Sequence, residues 1–305
     1  MAKQSKHILR SDMERILYCL LKPLAMLPLG VLYVLSDAVF VILYYIIRYR
    51  RKIVDDNLAQ CFPQKSEKER RSIRRRFYRN FADYIFETIK LLHISDSEMK
   101  RRMTFDGVDE IDRIVASGRD VAVYFSHCGN WEWAPSVTLH SHADPASTCF
   151  CQVYRPLRDK TFDALMLRVR SRFGSVSLPK STVLRRLLDM RRRGLLTVTG
   201  FMSDQKPSHG DPTLPLLFLG RPTAFITGTE TLARKLKMGA VYWDMYKVRR
   251  GHYHVVTRLI ADDVAATAQG EVTRVYASML QETIERNPSI WLWSHKRWKI
   301  PVTLP

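Results

Sequence analysis

From about residue 103 onward, short β-rich apolar runs take turns with segments of helical periodicity. Strands are expected at 121–126, 148–154, 195–202, 214–219, 240–247 and 253–260. Helices are expected between them, at 108–116, 131–139, 159–173, 182–192, 226–237 and 272–286. Parallel neighbours need a crossover, and a helix is the compact way to make one, so this alternation predicts an α/β fold. The expected architecture is a mostly parallel sheet flanked by helices, with its site beyond the carboxyl ends of the strands. No internal repeat or low-complexity linker interrupts it.

One strand exit stands out. The run VAVYFS delivers the chain to His127, and Cys128, Gly129, Asn130, Trp131 and Glu132 follow. In one continuous helix, positions five apart lie roughly 140° around the axis and do not meet. They can meet if the strand ends at Ser126, Gly129 permits a tight turn and a helix begins near Asn130 or Trp131. Glu132 is then expected to accept the Nδ1–H of His127 and leave Nε2 free as a base. Such a pair can deprotonate a hydroxyl that attacks an acyl group. The bare H-x4-E spacing is equally compatible with a strand-end histidine bonded to backbone and a helix-start glutamate.

Other strand exits carry polar residues. Arg155 follows the run ending at Tyr154, where it suits an oxyanion or phosphate, or a surface beside a proline turn. Asp204 and Gln205 follow LLTVTGFM, where Asp also serves as a turn residue. The segment FLGRPTAFITG, ending at Gly228, is rich in small residues that let a ligand approach backbone, and it matches no phosphate-loop or dinucleotide fingerprint. His252 and His254 alternate on a strand without an evident third ligand, so no metal site is expected. Cys128 is too close in sequence to His127 to face it as a nucleophile. Trp291 and Trp293 are expected on one face of a strand, packing with nearby cations.

The N-terminal part has a different texture. Residues 1–12 are polar and basic, an expected frayed tail. Residues 23–47 are long enough to span a bilayer, although Pro28, Gly30 and Asp37 equally suit a buried helical hairpin. Tyrosines and the cluster RYRRK at 48–52 favour membrane attachment, by spanning or by lying in the interface. Division into a tail and membrane anchor (1–52) and one α/β domain (53–305) is expected. Within the second part, Ser66 and Glu69 form a capping box opening a helical lead-in over 66–92. Ile73, Phe77, Phe81, Ile85 and Ile89 make its apolar stripe, and Arg70, Arg71, Arg74, Arg75 and Arg79 its solvated face. Another cap spans Ser95 to Glu98.

A formal net charge of +19 draws the chain toward polyanions: nucleic acid, anionic lipid, phosphorylated substrates or acidic proteins. The apolar N-terminal segment and the lack of a nucleic-acid reading motif count against nucleic acid. Five cysteines without a C-x-x-C pair suit a reducing compartment.

Taken in order, the N-terminal segment, RYRRKIVDDNLAQCFP, FSHCGNWEWA, VYRPLRD, FMSDQKP, FLGRPTAFITGTETLAR and WLWSHKRWK resemble the bacterial lipid A late acyltransferase family, within the wider lysophospholipid acyltransferase superfamily. The resemblance covers nearly the whole chain, and Glu132 matches the form of the H-x4-D/E motif at home in the lipid A branch. It implies transfer of a fatty acyl chain from acyl carrier protein, as a thioester, to a hydroxyl of a lipid A precursor at the cytoplasmic face of the inner membrane. His127 would be the base and Glu132 its orienting partner, with Arg155 and Asp204 at or near the site. Asn130, Trp131, Gln205 and Gly228 are expected to line the substrate, and no metal or organic cofactor is implied. The same chemistry on a lysophospholipid, aminolipid or glycolipid, and a non-catalytic basic membrane-binding protein, are the alternatives.

Overall fold

The computed structural model describes residues 2–304, with side chains from residue 13 onward. Among the described residues nine strands occur in chain order: β1 (Met103–Asp106), β2 (Val121–Phe125), β3 (Thr148–Tyr154), β4 (Val176–Pro179), β5 (Leu196–Met202), β6 (Thr213–Phe218), β7 (Arg221–Ile226), β8 (Gly239–Arg249) and β9 (His252–Ala261). Seven form one sheet in the order β1-β9-β8-β2-β5-β3-β4. All its neighbours are parallel except β8 and β9, so the sheet is mostly parallel as the alternation predicts. Strands β6 and β7 make a separate antiparallel hairpin.

The helices are α1 (Ala2–Met26), α2 (Leu29–Val41), α3 (Arg51–Cys61), α4 (Glu67–Lys90), α5 (Asp96–Arg102), α6 (Val108–Ala116), α7 (Lys160–Arg170), α8 (Val183–Arg192), α9 (Gly228–Lys235) and α10 (Glu271–Arg286). Every residue of β2 is buried, which fits a strand covered on both faces. Val121, Val123 and Phe125 pack toward α5, α6 and α7, with Met99, Ile111 and Val169. Ala122 and Tyr124 pack toward α8, α9 and α10, with Leu187, Ala233 and Tyr276.

The expected tail 1–12 differs, in that α1 begins at Ala2. The apolar segment breaks at Pro28 and continues through α2 into a π-turn at Ile42–Ile46. Among the described residues one helical stretch, Leu29–Ile46, is long and apolar enough to cross a membrane, with mean hydropathy 2.1. One face of it is occupied by the rest of the fold: Tyr33 donates to Glu87, Ser36 donates to Asp83, and Asp37 pairs with Arg250. The other face leaves Val34, Tyr45, Ile46 and Ile47 exposed.

Helix α4 opens with both halves of the expected capping box, Glu69 N–H to Ser66 Oγ and Ser66 N–H to Glu69 Oε2. Its burial departs from the expected stripe. Phe81, Ile85 and Ile89 are only partly covered, while Ala82, Asp83, Phe86, Glu87 and Lys90 are buried. The helix is wedged between α2 and the carboxyl end of the sheet, so it buries two flanks and accepts paired charges. Arg74, expected on the solvated face, is buried against Asp55. Around the tryptophans the chain is also not a strand: residues 291–298 are turns and one isolated bridge from Trp291 to Cys128.

Candidate active site

Strands β2 and β5 pair with Phe125 opposite Met202. Neighbouring strands lie about 4.8 Å apart, so the residues two steps beyond that pair, His127 and Asp204, leave the sheet side by side. The His127 Nδ1–H donates to Asp204 Oδ1 at 2.8 Å, and the His127 backbone N–H to Oδ2 at 3.0 Å. Trp291 Nε1–H also donates to Oδ2, at 2.9 Å. Burial alone would push the Asp204 carboxyl up. The facing imidazole and these donors outweigh it and hold the group at about 2, an anion throughout the physiological range. Nδ1 therefore carries the proton, and Nε2 accepts from the Gln205 side-chain amide at 3.1 Å.

Several groups fix the imidazole. Trp131 meets it edge to face at 5.1 Å and itself stacks on Tyr84 of α4 at 4.1 Å. Gly129 turns the chain with φ +59°, and a Cβ there would sit 2.7 Å from Met245 Sδ and against the Tyr253 ring. Only glycine fits. His295, in the C-terminal turns, accepts the Lys206 backbone N–H at 3.1 Å and so ties down the loop that carries Asp204. Trp291 and His295 lie in the block WLWSHKRWK, which was the signal for them; composition suggested only packing.

The expected contact between Glu132 and His127 Nδ1 is not made, because Asp204 occupies that nitrogen. The chain after Asn130 forms 3₁₀ turns over Trp131–Leu139 rather than the α-helix expected. Glu132 instead accepts a two-pronged pair from Arg170 of α7, at 2.8 and 2.7 Å. Burial disfavours the charge on Arg170, but Glu132 more than restores it. Arg170 was not singled out by its sequence position. Asn130 was expected to line substrate, yet it is fully buried and its amide donates to Glu87 Oε2 at 2.8 Å. Glu87 also accepts from Tyr253 at 2.8 Å, so Asn130 fastens the turn to α4 instead of facing a ligand.

His127, Trp131, Glu132, Arg155, Arg170, Gln205 and Gly228 share one cavity of about 720 Å³. That size suits a drug-sized or lipid-chain ligand. Its walls include Phe125, Val153, Val183, Leu184, Phe201, Ile226 and Leu232, and Lys180 and Lys235 join Arg155 as its further cations. Arg155 is exposed and donates to Ser208 Oγ at 3.4 Å; Gly228 is the first residue of α9. Cys128 lies outside the cavity, and burial pushes its thiol well up. His252 and His254 have separate partners: Arg249 for the first, Thr104 and Asp106 for the second.

The site thus belongs to an α/β enzyme with a carboxylate-steered histidine facing an apolar cavity that carries cations. Residues 2–300 match the family described as bacterial lipid A biosynthesis acyltransferase, and the chain belongs to that family. It is an acyltransferase. The "Lipid A biosynthesis palmitoleoyltransferase" of Escherichia coli (strain K12) is 23% identical over 90% of this chain and 86% of that protein. The "Lipid A biosynthesis acyltransferase" of Shigella flexneri is 23% identical with the same coverage. A Haemophilus influenzae protein of that second name is 22% identical over 68% of this chain and 63% of its own length.

Proposed function

We propose that the protein transfers a fatty acyl chain from an acyl carrier protein thioester to a hydroxyl of a lipid A precursor. The observation that carries this reading is the His127–Asp204 pair opening on the apolar cavity. In the mechanism, the acceptor hydroxyl displaces the Gln205 amide from Nε2, and His127 takes its proton as the oxygen attacks the thioester carbonyl. Asp204 stabilises the imidazolium without itself taking the proton. The Gln205 amide and Arg155, both at the cavity, are suitable donors to the tetrahedral oxyanion. Collapse expels the thiolate, which receives the proton back from His127. Glu132 acts through Arg170, holding that cation in the cavity wall.

The family and the names of its relatives support this acceptor. Cations beside an apolar cavity also suit a phosphorylated lipid. Exposed apolar residues on α1, on α2 and in the π-turn after it, among them Leu20, Val34 and Ile46, support attachment to a membrane; the family resemblance points to the inner membrane, with the site on its cytoplasmic side.

The test is an assay of purified protein with carrier-protein thioesters of several acyl lengths against a panel of lipid acceptors, read by mass spectrometry. Transfer to the lipid A precursor, lost in His127→Ala, is expected. Transfer to a lysophospholipid or aminolipid in its place would reassign the acceptor. Transfer that persists in His127→Ala would remove the histidine from the chemistry.

A further inference from the structure

Helix α8 presents an outer arc of arginines beside the reaction cavity. At 100° per residue, Arg185, Arg186, Arg192 and Arg193 fall within roughly a third of the helical circumference, opposite the buried Leu187. All four are exposed. The single acid on this arc, Asp189, is already paired with Arg192 at 3.0 Å, and Arg185 and Arg186 have no ion-pair partner among the described residues. Between this arc and the β4–α8 turn runs a groove of about 440 Å³ lined by Arg185, Leu188 and Arg192, and also by Lys180, Val183 and Leu184. The last three line the reaction cavity as well, so groove and cavity share a wall.

A basic helix could meet an acidic protein or an anionic bilayer. The wall shared with the reaction cavity favours the protein, which must bring its acyl thioester there, and the position of α1 agrees. Leu187 of α8 packs on one face of the sheet, whereas Val169 of α7 packs on the other. Helix α1, with its exposed apolar residues, lies on the α7 side, where Arg168 pairs with Glu14 at 2.9 Å. The arginine arc is therefore on the layer turned away from α1.

We infer that the outer face of α8 is the docking surface for the acidic carrier protein, which feeds its thioester arm along the shared wall at Lys180 into the cavity. This rests on the acyl-transfer reading above. Opposite charges across such a surface raise the encounter rate and fix orientation, and they weaken with salt.

The experiment compares two donors, acyl carrier protein thioester and the small neutral acyl-N-acetylcysteamine thioester. The proteins are wild type, Arg185→Glu/Arg186→Glu, and a control of equal charge change on α4, Arg71→Glu/Arg75→Glu. Docking on α8 predicts that the α8 variant raises KM for the carrier-bound donor about tenfold or more and loses most of the salt dependence. Its kinetics with the small donor, and both KM values of the control, stay at wild type. An unchanged KM for the carrier donor overturns the docking surface. So does an equal rise in the control, which would mark a net-charge effect. Loss of binding to anionic phospholipid vesicles with donor KM unchanged would reassign the arc to lipid. Wild type that transfers from neither donor would sink the acyl-transfer reading itself, and the docking surface with it.

Discussion

Two buried carboxylates serve the same cavity, Glu132 in its wall and Asp204 behind its histidine, and meet opposite electrostatic fates. Glu132 faces Arg170, a cation that cannot give up its proton, and the two meet in a two-pronged pair. Asp204 faces an imidazole and two neutral-state N–H donors, so its negative charge is matched in full only when His127 gains a proton. The first arrangement holds shape; the second can answer a change in protonation. The difference also shows what makes neighbours in a parallel sheet. Five positions of sequence separate His127 from Glu132 and seventy-seven separate it from Asp204, yet strand pairing brings the distant residue to the ring.

The contrast is broken most sharply at the histidine. His127→Ala should lower turnover by about 10³-fold or more and also lower the chemical-denaturation midpoint, since the buried Asp204 carboxylate loses its imidazole partner. Asp204→Asn keeps the shape but offers an amide where Nδ1–H needs an acceptor, favouring the wrong tautomer; a loss of about 10³-fold in kcat is expected. The double variant should be little worse than either single, because the two act as one unit. Multiplying losses in the double would mean that Asp204 works independently of the imidazole.

For Glu132 the leading expected effect is on stability. Glu132→Gln strands Arg170 in a largely buried place and should cost about 3 kcal/mol, at the low end for a broken buried pair because Arg170 keeps some solvent access. Glu132→Met combined with Arg170→Met removes both charges and should recover most of that loss in urea unfolding. Turnover should fall less in Glu132→Gln than in Asp204→Asn. Were Glu132→Gln as inactive as His127→Ala at wild-type stability, the carboxylate would belong to the reaction and the contrast drawn above would be wrong.

The sheet was legible because its strands announce themselves by apolar runs and its crossovers by helical period; β3 falls on its expected bounds, 148–154. The short edge strands β1 and β4 and the return strand β7 were not expected. Four residues at a sheet edge carry little pattern, and β7 contains Pro222 and small residues that read as a turn. In the site, each strand exit was recognised and His127, Arg155, Asp204 and Gln205 were named. Their pairing was not, because it depends on strand order: β5 lies between β2 and β3, against the order of the chain. Arg170 was hidden for a related reason, since its partner Glu132 lies thirty-eight positions away and Arg168 on the same helix offers the same charge. Asn130 and Glu87 were illegible together, since neither residue type signals a buried hydrogen bond across forty-three positions.

The smallest effect separates the two walls by pH. His295 holds the loop that carries Asp204 from the far side. Burial pushes its imidazole down to about 4; Asp204 opposes that, and the nearby cations add to it. A histidine lowered below its unfolded value of about 6.5 favours folding while neutral. Its stabilisation is complete above that value and drains as pH falls toward 4. Asp204 is lowered from 3.8 to about 2, so its contribution holds until pH drops below 3.8 and is lost through 2. The two windows do not overlap. Thermal midpoints measured between pH 7 and 4.5 should fall by a few degrees in the wild type, on the order expected for about 1 kcal/mol, with His127 and Asp204 still joined. His295→Gln, whose amide oxygen can accept the Lys206 N–H, should flatten that fall. Equal slopes in the two proteins would show that acid loosens the molecule elsewhere, and the clamp on the Asp204 loop would lose its pH signature.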